Sequence, residues 1–480
     1  MVKKILLFLL IIIVLIAAIV LYNTFTFHSQ QKAVAYAEAP PVMPTTIKHF
    51  SEAITYQTIS YRDTTQNDSS QFLGFRRFLE RSYPLVHQKL TREKVSQYTL
   101  LYRWQGVDQT KNPLILMAHQ DVVPVEDGTQ QLWKAPPFSG EVKDNAIWGR
   151  GTVDDKVNLI SIMEAAEALL TRGYQPTRTI YFAFSHDEET SGRGARAVVA
   201  LLKSRGVRAD LVLDEGGVIT TDKIPGMTKP VALIGTSEKG YLSLILSVEK
   251  HGGHSSMPEA ETAIDILSKA LVRLREHPFE PSFSTSTKGF IRHVGPEMPF
   301  LQKMAFANLW LFKPFVHATY EQSAAGNAMI RTTMVPTIVE AGVKENVIPT
   351  LAKAIVNFRI LPGDLSADVI EKVKAAIADE RVKVESTAAF FSEATAATSE
   401  ESYAYQTVSA LARKTQPDVI TSPFLMIAAT DSRYFKDISD GIIKFSPVKD
   451  PIGFHGIDEH IQIESYRHAI WFFQHVMQAQ

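Results

Sequence analysis

The sequence predicts an α/β protein: a helix-covered mixed sheet, interrupted by a smaller α+β insert and preceded by one N-terminal transmembrane helix. Three observations carry this. Between residues 50 and 240, short apolar runs at 114–117, 180–185 and 211–213 alternate with longer stretches of helical apolar spacing at 157–173 and 194–206. That alternation is the pattern of a sheet covered by helices. After Gly240 the order changes to an alternating strand at 242–248, a helix at 262–276, a strand at 353–359, a helix at 364–379 and a strand at 382–385, which reads as an inserted α+β unit. At the start, residues 5–22 form an unbroken apolar run behind Lys3 and Lys4.

That apolar run is long enough to cross a bilayer as a helix, and the two lysines place its N-terminus in the cytoplasm. A cleaved signal peptide is the rival, but its apolar core is usually about 7–15 residues with a cleavage site close behind. Here the small residues Ala33, Ala35 and Ala37 lie well downstream. The expectation is therefore an uncleaved, single-pass anchor (1–22), with the body on the non-cytoplasmic side, whether periplasmic, extracellular or luminal. Residues 23–48 turn polar with Pro40, Pro41 and Pro44 and read as a tether. The main domain is expected over 49–240 and again over 391–480, with strands near 418–421 and 441–445 and a last helix from about 458. The insert is expected over 241–390. Within it, Phe300, Leu301, Met304, Phe306, Leu309, Trp310, Leu311, Phe312 and Phe315 form a dense apolar stretch. It reads as a helix packed on its own domain or at a dimer interface, or else as a wall for a fatty substrate or a membrane-facing patch.

Composition narrows the chemistry. The 480 residues suffice for two or three cores, with 45% hydrophobic content. Net charge is -1, from 50 basic and 51 acidic side chains, so bulk electrostatics gives no reason to expect nucleic acid as a partner. There is no cysteine, which removes thiolate nucleophiles and Cys-ligated zinc. Any metal site must be built from His and carboxylate.

Such residues cluster just after the strand-like runs: His119 and Asp121, Asp154 and Asp155, Glu188 and Glu189, Asp214, and finally His455. Open α/β sheets bind ligands beyond the carboxyl ends of their strands, so the placement agrees with the residue types. In His119-x-Asp121 one side chain can bind metal while the other orients it. Asp154 follows a Gly-Arg-Gly turn, where a carboxylate could bridge two cations, with Asp155 the competing candidate. Adjacent Glu188 and Glu189 point in different directions at a strand end, so one can bind metal while its neighbour moves protons. Two His and three carboxylates suit a pair of zinc ions sharing one bridging carboxylate.

These motifs, in this order, resemble the M20 family of metallopeptidases, in particular its carboxypeptidase S and N-fatty-acyl-amino-acid hydrolase branch. The likeness extends over essentially the whole chain after the tether. It implies that His119, Asp154 and Asp214 hold one zinc and that Asp154, Glu189 and His455 hold the other, Co2+ or Mn2+ being alternatives. It further implies that Asp121 orients His119, that Glu188 is the general base, and that the insert is a lid through which homodimers form. Residues 252–258 (Gly-Gly-His-Ser-Ser-Met-Pro) look like a substrate-binding loop in which His254 helps stabilise the oxyanion. Asn346 and Arg359 resemble positions that hold the substrate carboxylate, a task suited to the planar fork of arginine. The stretch 430–433 resembles a further loop of the site, with Ala428 and Ala429 where glycines are common.

The expected reaction is hydrolysis of an amide or peptide bond next to a free carboxylate, with a metal-bridging water deprotonated by Glu188. A carboxypeptidase acting on small peptides is the first reading. An N-fatty-acyl amino acid hydrolase/synthase is the alternative, and a non-catalytic membrane-tethered binding protein is the rival from another class. A serine hydrolase on Ser255 or Ser256 lacks the Gly-x-Ser-x-Gly elbow.

Overall fold

The computed structural model describes residues 1–387 and 391–479. Its centre is an eight-stranded sheet in the order Thr91–Ser96, Thr99–Trp104, Ile180–Ser185, Leu114–His119, Leu211–Thr220, Ile442–Lys449, Val231–Glu238, Ile420–Met426. The strand Leu114–His119 is parallel to both neighbours, while the hairpin at the far edge joins antiparallel, so the sheet is mixed. Leu114, Leu116 and Ala118 face one core with the helices Lys156–Thr171 and Ile463–Gln478. Ile115 and Met117 face the other, with the helix Arg193–Ser204. Every residue of Leu114–His119 and Ile180–Ser185 is buried, which is why both runs are apolar throughout. Because the central strands are parallel, the residues that end or follow them arrive at one edge of the sheet: His119, Glu188, Glu189, Asp214 and Glu215.

A second, antiparallel sheet has the order Thr333–Ala341, Leu351–Ile360, Gly240–Glu249, Lys383–Ser386. The helices Ala263–Glu276 and Ser366–Ile377 contribute to the core against it. The elements expected from the alternating pattern are present within a few residues. The edge strand Thr333–Ala341 was not expected. Pro336 sits at a register shift in it, and Val335, Ile338 and Val339 are exposed, so no alternation of burial marks it. The boundary expected at residue 390 lies outside the described residues.

Three expectations need correction. The apolar stretch 300–315 does not pack on the second sheet. It belongs to a run of helices, Thr285–Val294, Phe300–Ala307, Leu309–Glu321 and Ala324–Ile330, whose core is shared with Met227, Val231 and Ile420 of the main domain. The outermost main-sheet strand needs cover, and these helices supply it. The 23–48 segment is not a free tether. Ala39 is buried, the Ala37 N–H donates to the Lys414 carbonyl at 3.0 Å, and a helix begins at Pro44, where a proline suits the first turn. The last helix starts at Ile463 rather than near 458, because His460–Gln462 first pairs with Ala146–Trp148 as a strand.

The helix Thr285–Val294 is tied to the main domain by Glu400, which accepts from Arg292 and lies 2.9 Å from His293 Nε2. Burial opposes ionisation of Glu400, but His293 and Arg292 outweigh it and hold the carboxyl at about 2, below its ordinary 4.5. A depressed carboxyl stabilises the fold above pH 4.5 and loses that contribution as pH falls toward 2. Glu400→Gln is expected to cost about 1–2 kcal/mol near neutral pH, after discounting for partial exposure, and to flatten the acid limb of stability over that window. Urea denaturation of both proteins across the pH range measures the difference.

Candidate metal centre

The cluster is built around Asp154, whose two oxygens face two different imidazoles. Its Oδ1 is 2.9 Å from His119 Nε2, and its Oδ2 is 2.9 Å from His455 Nε2. Each imidazole has a second carboxylate beside it. Glu215 Oε1 lies 3.3 Å from His119 Nε2, and Glu189 Oε2 lies 3.3 Å from His455 Nε2. His119, Asp154 and Glu189 form one group with donor atoms within 4.8 Å of one another, and His119, Asp155 and Glu215 form a second.

The loop that presents Asp154 is held tightly. Gly149 and Gly151 have positive φ values of 141° and 89°, and a Cβ at either would stand under 3 Å from Ile54 or Val122. Arg150 donates to Glu459 Oε2 at 2.6 Å and to the carbonyls of His455 and Gly456 at 3.3 and 3.1 Å. Glu459 Oε1 in turn accepts from the N–H groups of Gly151 and Val153 at 2.9 and 2.8 Å. One buried ion pair thus fixes both the Asp154 loop and the His455 loop. The Gly149-Arg150-Gly151 turn was noticed in the sequence, but a contact over 309 residues leaves no local trace.

Asp121 is fully buried and bonds more widely than the sequence suggests. The His119 Nδ1–H donates to the Asp121 carbonyl at 2.9 Å, and its carboxylate oxygen stands off at 3.5 Å. That bond leaves His119 Nε2 as the bare nitrogen facing the cluster. The Asp121 carboxylate accepts from Ser60 Oγ at 2.6 Å and from the N–H groups of Glu188 and Glu189 at 3.2 Å each. It therefore sets the backbone that carries both glutamates. Burial opposes its charge, but His119, Ser60 and the Glu189 N–H hold it below its ordinary value.

Asp214 and Glu215 are adjacent and do different things. Asp214 Oδ2 accepts from the Ser432 N–H at 2.8 Å, so this carboxylate grips the 430–433 loop. Glu215 is the one within 3.3 Å of His119 Nε2. Successive residues of a strand point to opposite sides, and a sequence read for acids at strand ends cannot tell which of the two faces inward.

The charges respond to one another. Burial opposes ionisation of Asp154, yet His119 and His455 hold it well below the usual carboxylate range. Asp154 and Glu189 raise His455 to about 10. Burial works against a charged His119, but Glu215, Asp121 and Asp154 outweigh it and push the ring well above an ordinary histidine. Burial and then the charge of Asp431 raise Glu188 well above 4.5, while burial and Asp154 raise Glu189. Glu189 Oε1 and Asp155 Oδ2 are buried with no hydrogen-bond partner. An excess of carboxylate, nitrogen and oxygen donors and partnerless oxygens together fit divalent cations.

The expected substrate contacts lie elsewhere. His254 and Asn346 come together on an exposed two-stranded ribbon, Gly253–His254 with Val347–Ile348, where Ser255 N–H donates to the Asn346 carbonyl at 3.1 Å. Neither is brought against the cluster. Arg359 ends a strand of the second sheet, stacks 4.8 Å over the Tyr241 ring, and is pushed down by burial and by the charge of Arg433. It is the one of the three whose surroundings include the 430–433 loop.

Comparison with known proteins agrees with this arrangement. The model of peptidase family M20/M25/M40 matches residues 115–479. A probable carboxypeptidase S-like 2 from Dictyostelium discoideum is 35% identical over 475 residues, covering 96% of this chain and 91% of that protein. The human N-fatty-acyl-amino acid synthase/hydrolase PM20D1 is 38% identical over 435 residues, covering 89% and 86%. The fold resembles that of the M20 family metallo-carboxypeptidase Sso-CP2 from Sulfolobus solfataricus, with a TM-score of 0.67 at 18% identity, over 91% and 99% of the two chains. A bridging carboxylate between two imidazoles, at the carboxyl end of a mixed sheet, is thus found in a chain that belongs to peptidase family M20/M25/M40.

Proposed function

We propose that the protein is a two-metal amidohydrolase that cleaves an amide or peptide bond next to a free carboxylate, as a carboxypeptidase does. The observation that carries this is Asp154, with one oxygen 2.9 Å from each of two histidine Nε2 atoms. In this reading Asp154 bridges two ions, zinc by preference; His119 and Glu215 complete one site, and Glu189 and His455 the other. Glu215 takes the place first assigned to Asp214, which we read as a loop anchor. Bound there, the ions would supply Lewis acidity and acidify a water. Glu188 takes the proton from that water and delivers it to the leaving nitrogen. Asp121 holds Glu188 and Glu189 by their N–H groups and keeps the His119 Nδ1–H pointed away from the cluster.

Arg359 is read as the residue that pairs with the substrate carboxylate, supported by its position beside Arg433, since two neighbouring guanidinium groups favour an anion. The roles of His254 at the oxyanion and Asn346 at the carboxylate require the exposed ribbon to approach the cluster, which makes the second sheet a lid. Its exposed edge strand Thr333–Ala341 offers a surface for a second copy. The helix Val2–Thr26, apolar enough to cross a membrane, is read as an anchor with Lys3 and Lys4 in the cytoplasm and the body on the other side.

The second reading, hydrolysis or synthesis of N-fatty-acyl amino acids, draws on the human relative. The apolar stretch 300–315 no longer supports it, because that stretch covers the main sheet and touches the anchor. A panel of dipeptides and long-chain N-acyl amino acids, with and without chelator, decides between the two. Chelator-sensitive release of an amino acid is expected, and the better substrate names the branch.

Two variants test the assignments. Glu188→Gln is expected to keep its metal content while kcat falls by about 10²-fold or more, checked by elemental analysis and steady-state kinetics. Glu215→Gln is expected to lose one of two metals per chain, whereas Asp214→Asn keeps both. The reverse result in metal titration would restore Asp214 as the ligand.

A further inference from the structure

The N-terminal helix is joined to the body at one place, and the joint is built. Of the helix Val2–Thr26, only Val20 and Thr24 are buried. They lie against Asn308, itself fully buried, at the junction of the helices Phe300–Ala307 and Leu309–Glu321. Asn308 Nδ2 donates to the Val20 carbonyl at 3.1 Å and to Thr24 Oγ1 at 3.3 Å, and its Oδ1 accepts from Asn23 Nδ2 at 2.9 Å and from Trp310 Nε1 at 3.2 Å. The Phe25 and Phe300 rings sit 6.1 Å apart, and a Cβ at Gly295 would stand 2.7 Å from the Phe27 ring. If the helix were cut away, Asn308 would lose three partners and the notch at Gly295 its occupant.

The joint sets the height of the body over a bilayer. Residues 2–19 rise about 27 Å as a helix, close to the roughly 30 Å of a hydrocarbon core. The hydrocarbon therefore ends where Val20 meets Asn308. At that level the two helices expose Phe300, Leu301, Trp310, Leu311 and Phe315, with Lys303 and Lys313 among them. Exposed aromatic and aliphatic side chains with interspersed lysines are what the membrane interface takes up.

We propose that the hairpin Phe300–Ala307 and Leu309–Glu321 lies on the bilayer surface as a second membrane contact, with Trp310 at headgroup depth, so that the body is held against the membrane rather than swinging from its anchor. The inference rests on the anchor reading of the first helix. A second copy of the chain is the competing occupant. The span ending at Asn308 favours lipid, because it brings this face, whatever else is present, to the height of the headgroups.

The test uses the full chain in phosphatidylcholine vesicles with and without lipids brominated near the headgroup end of the acyl chain. Flotation with the vesicles and resistance to alkaline extraction report on the anchor. Quenching of the fluorescence difference between the native chain and Trp310→Phe reports on the hairpin. A reduction of that difference by about twofold or more is expected, and it should shrink in a Phe300→Ser, Leu301→Ser, Phe315→Ser variant that still floats. A chain that floats with Trp310 unquenched overturns the hairpin contact and leaves the anchor standing. A chain that neither floats nor resists extraction overturns both. Since the protein has no cysteine of its own, Leu311→Cys gives a clean third outcome: a disulfide-linked dimer with Trp310 unquenched assigns this face to a second copy.

Discussion

The structure is governed by an excess of negative charge in one buried place. Asp121, Asp154, Asp155, Glu188, Glu189, Asp214, Glu215 and Asp431 are packed at the carboxyl end of the main sheet, where only His119 and His455 face them as ionisable bases. Two like charges about 4 Å apart repel by roughly 4 kcal/mol at the effective dielectric of a protein, so the cluster as a set of ions is not self-consistent. Part of the strain appears as raised carboxyl pKa values at Glu188, Glu189 and Glu215, where burial is the largest cause and neighbouring carboxylates add to it. Divalent charge at the cluster would relieve the repulsion and return Glu188 to the range in which it can accept a proton.

What keeps the carboxylates from separating is a ring of partners behind them. Glu459 and Arg150 clamp the Asp154 and His455 loops, and the Asp121 carboxylate holds the two glutamates by their backbone. Glu238 accepts from the Thr430 N–H and hydroxyl and lies 3.4 Å from the buried Lys444 amine. That fixes the 430–433 loop from which Ser432 N–H reaches Asp214. Lys156 donates to the carbonyls of Ala53 and Tyr56 at 3.0 and 2.6 Å, tying the start of the helix after Asp155 to the end of the helix Pro44–Ile54. Each group nearest the cluster is held by a group that cannot itself reach it. Removing one half of such a buried pair leaves the other half uncompensated, so these positions carry large energetic consequences without touching substrate.

Much of this was legible in the sequence, and the limits have physical reasons. Strands buried on both faces leave continuous apolar runs, so the sheet and the acids at its ends could be read directly from 114–119, 180–189 and 211–215. Periodicity also placed the helices of the second sheet. Which of Asp214 and Glu215 faces His119 could not be read, because it depends on strand register within a folded sheet rather than on composition. Glu459 escaped for a different reason: its partners Arg150, Gly151 and Val153 are remote in sequence, and a glutamate before a terminal helix looks like an ordinary first-turn acid. The helices between Thr285 and Ile330 were assigned to the wrong neighbour, since apolar spacing says that a face is covered but not by what.

That last misassignment bears on how substrate is chosen. An apolar stretch of this density would have been a natural wall for an acyl chain had it lined the cluster, but its inward side is spent on Met227, Val231 and Ile420 and its outward side is turned away beside the anchor helix. Selection must then come from what borders the cluster: Arg359 on the Tyr241 ring, Arg433 with its contact to the Tyr434 hydroxyl, and the 430–433 loop. Two guanidinium groups close enough for each to disfavour the charge of the other are stabilised most by a carboxylate that both can reach. Recognition of a free carboxylate is thus written in the body of the site, while the apolar surface that might have set chain length has gone to covering a sheet edge and seating a helix. Whether the group on the other side of the scissile bond is an amino acid or a fatty acyl chain is decided by walls that approach the cluster from the second sheet, which is where the exposed ribbon of His254 and Asn346 lies.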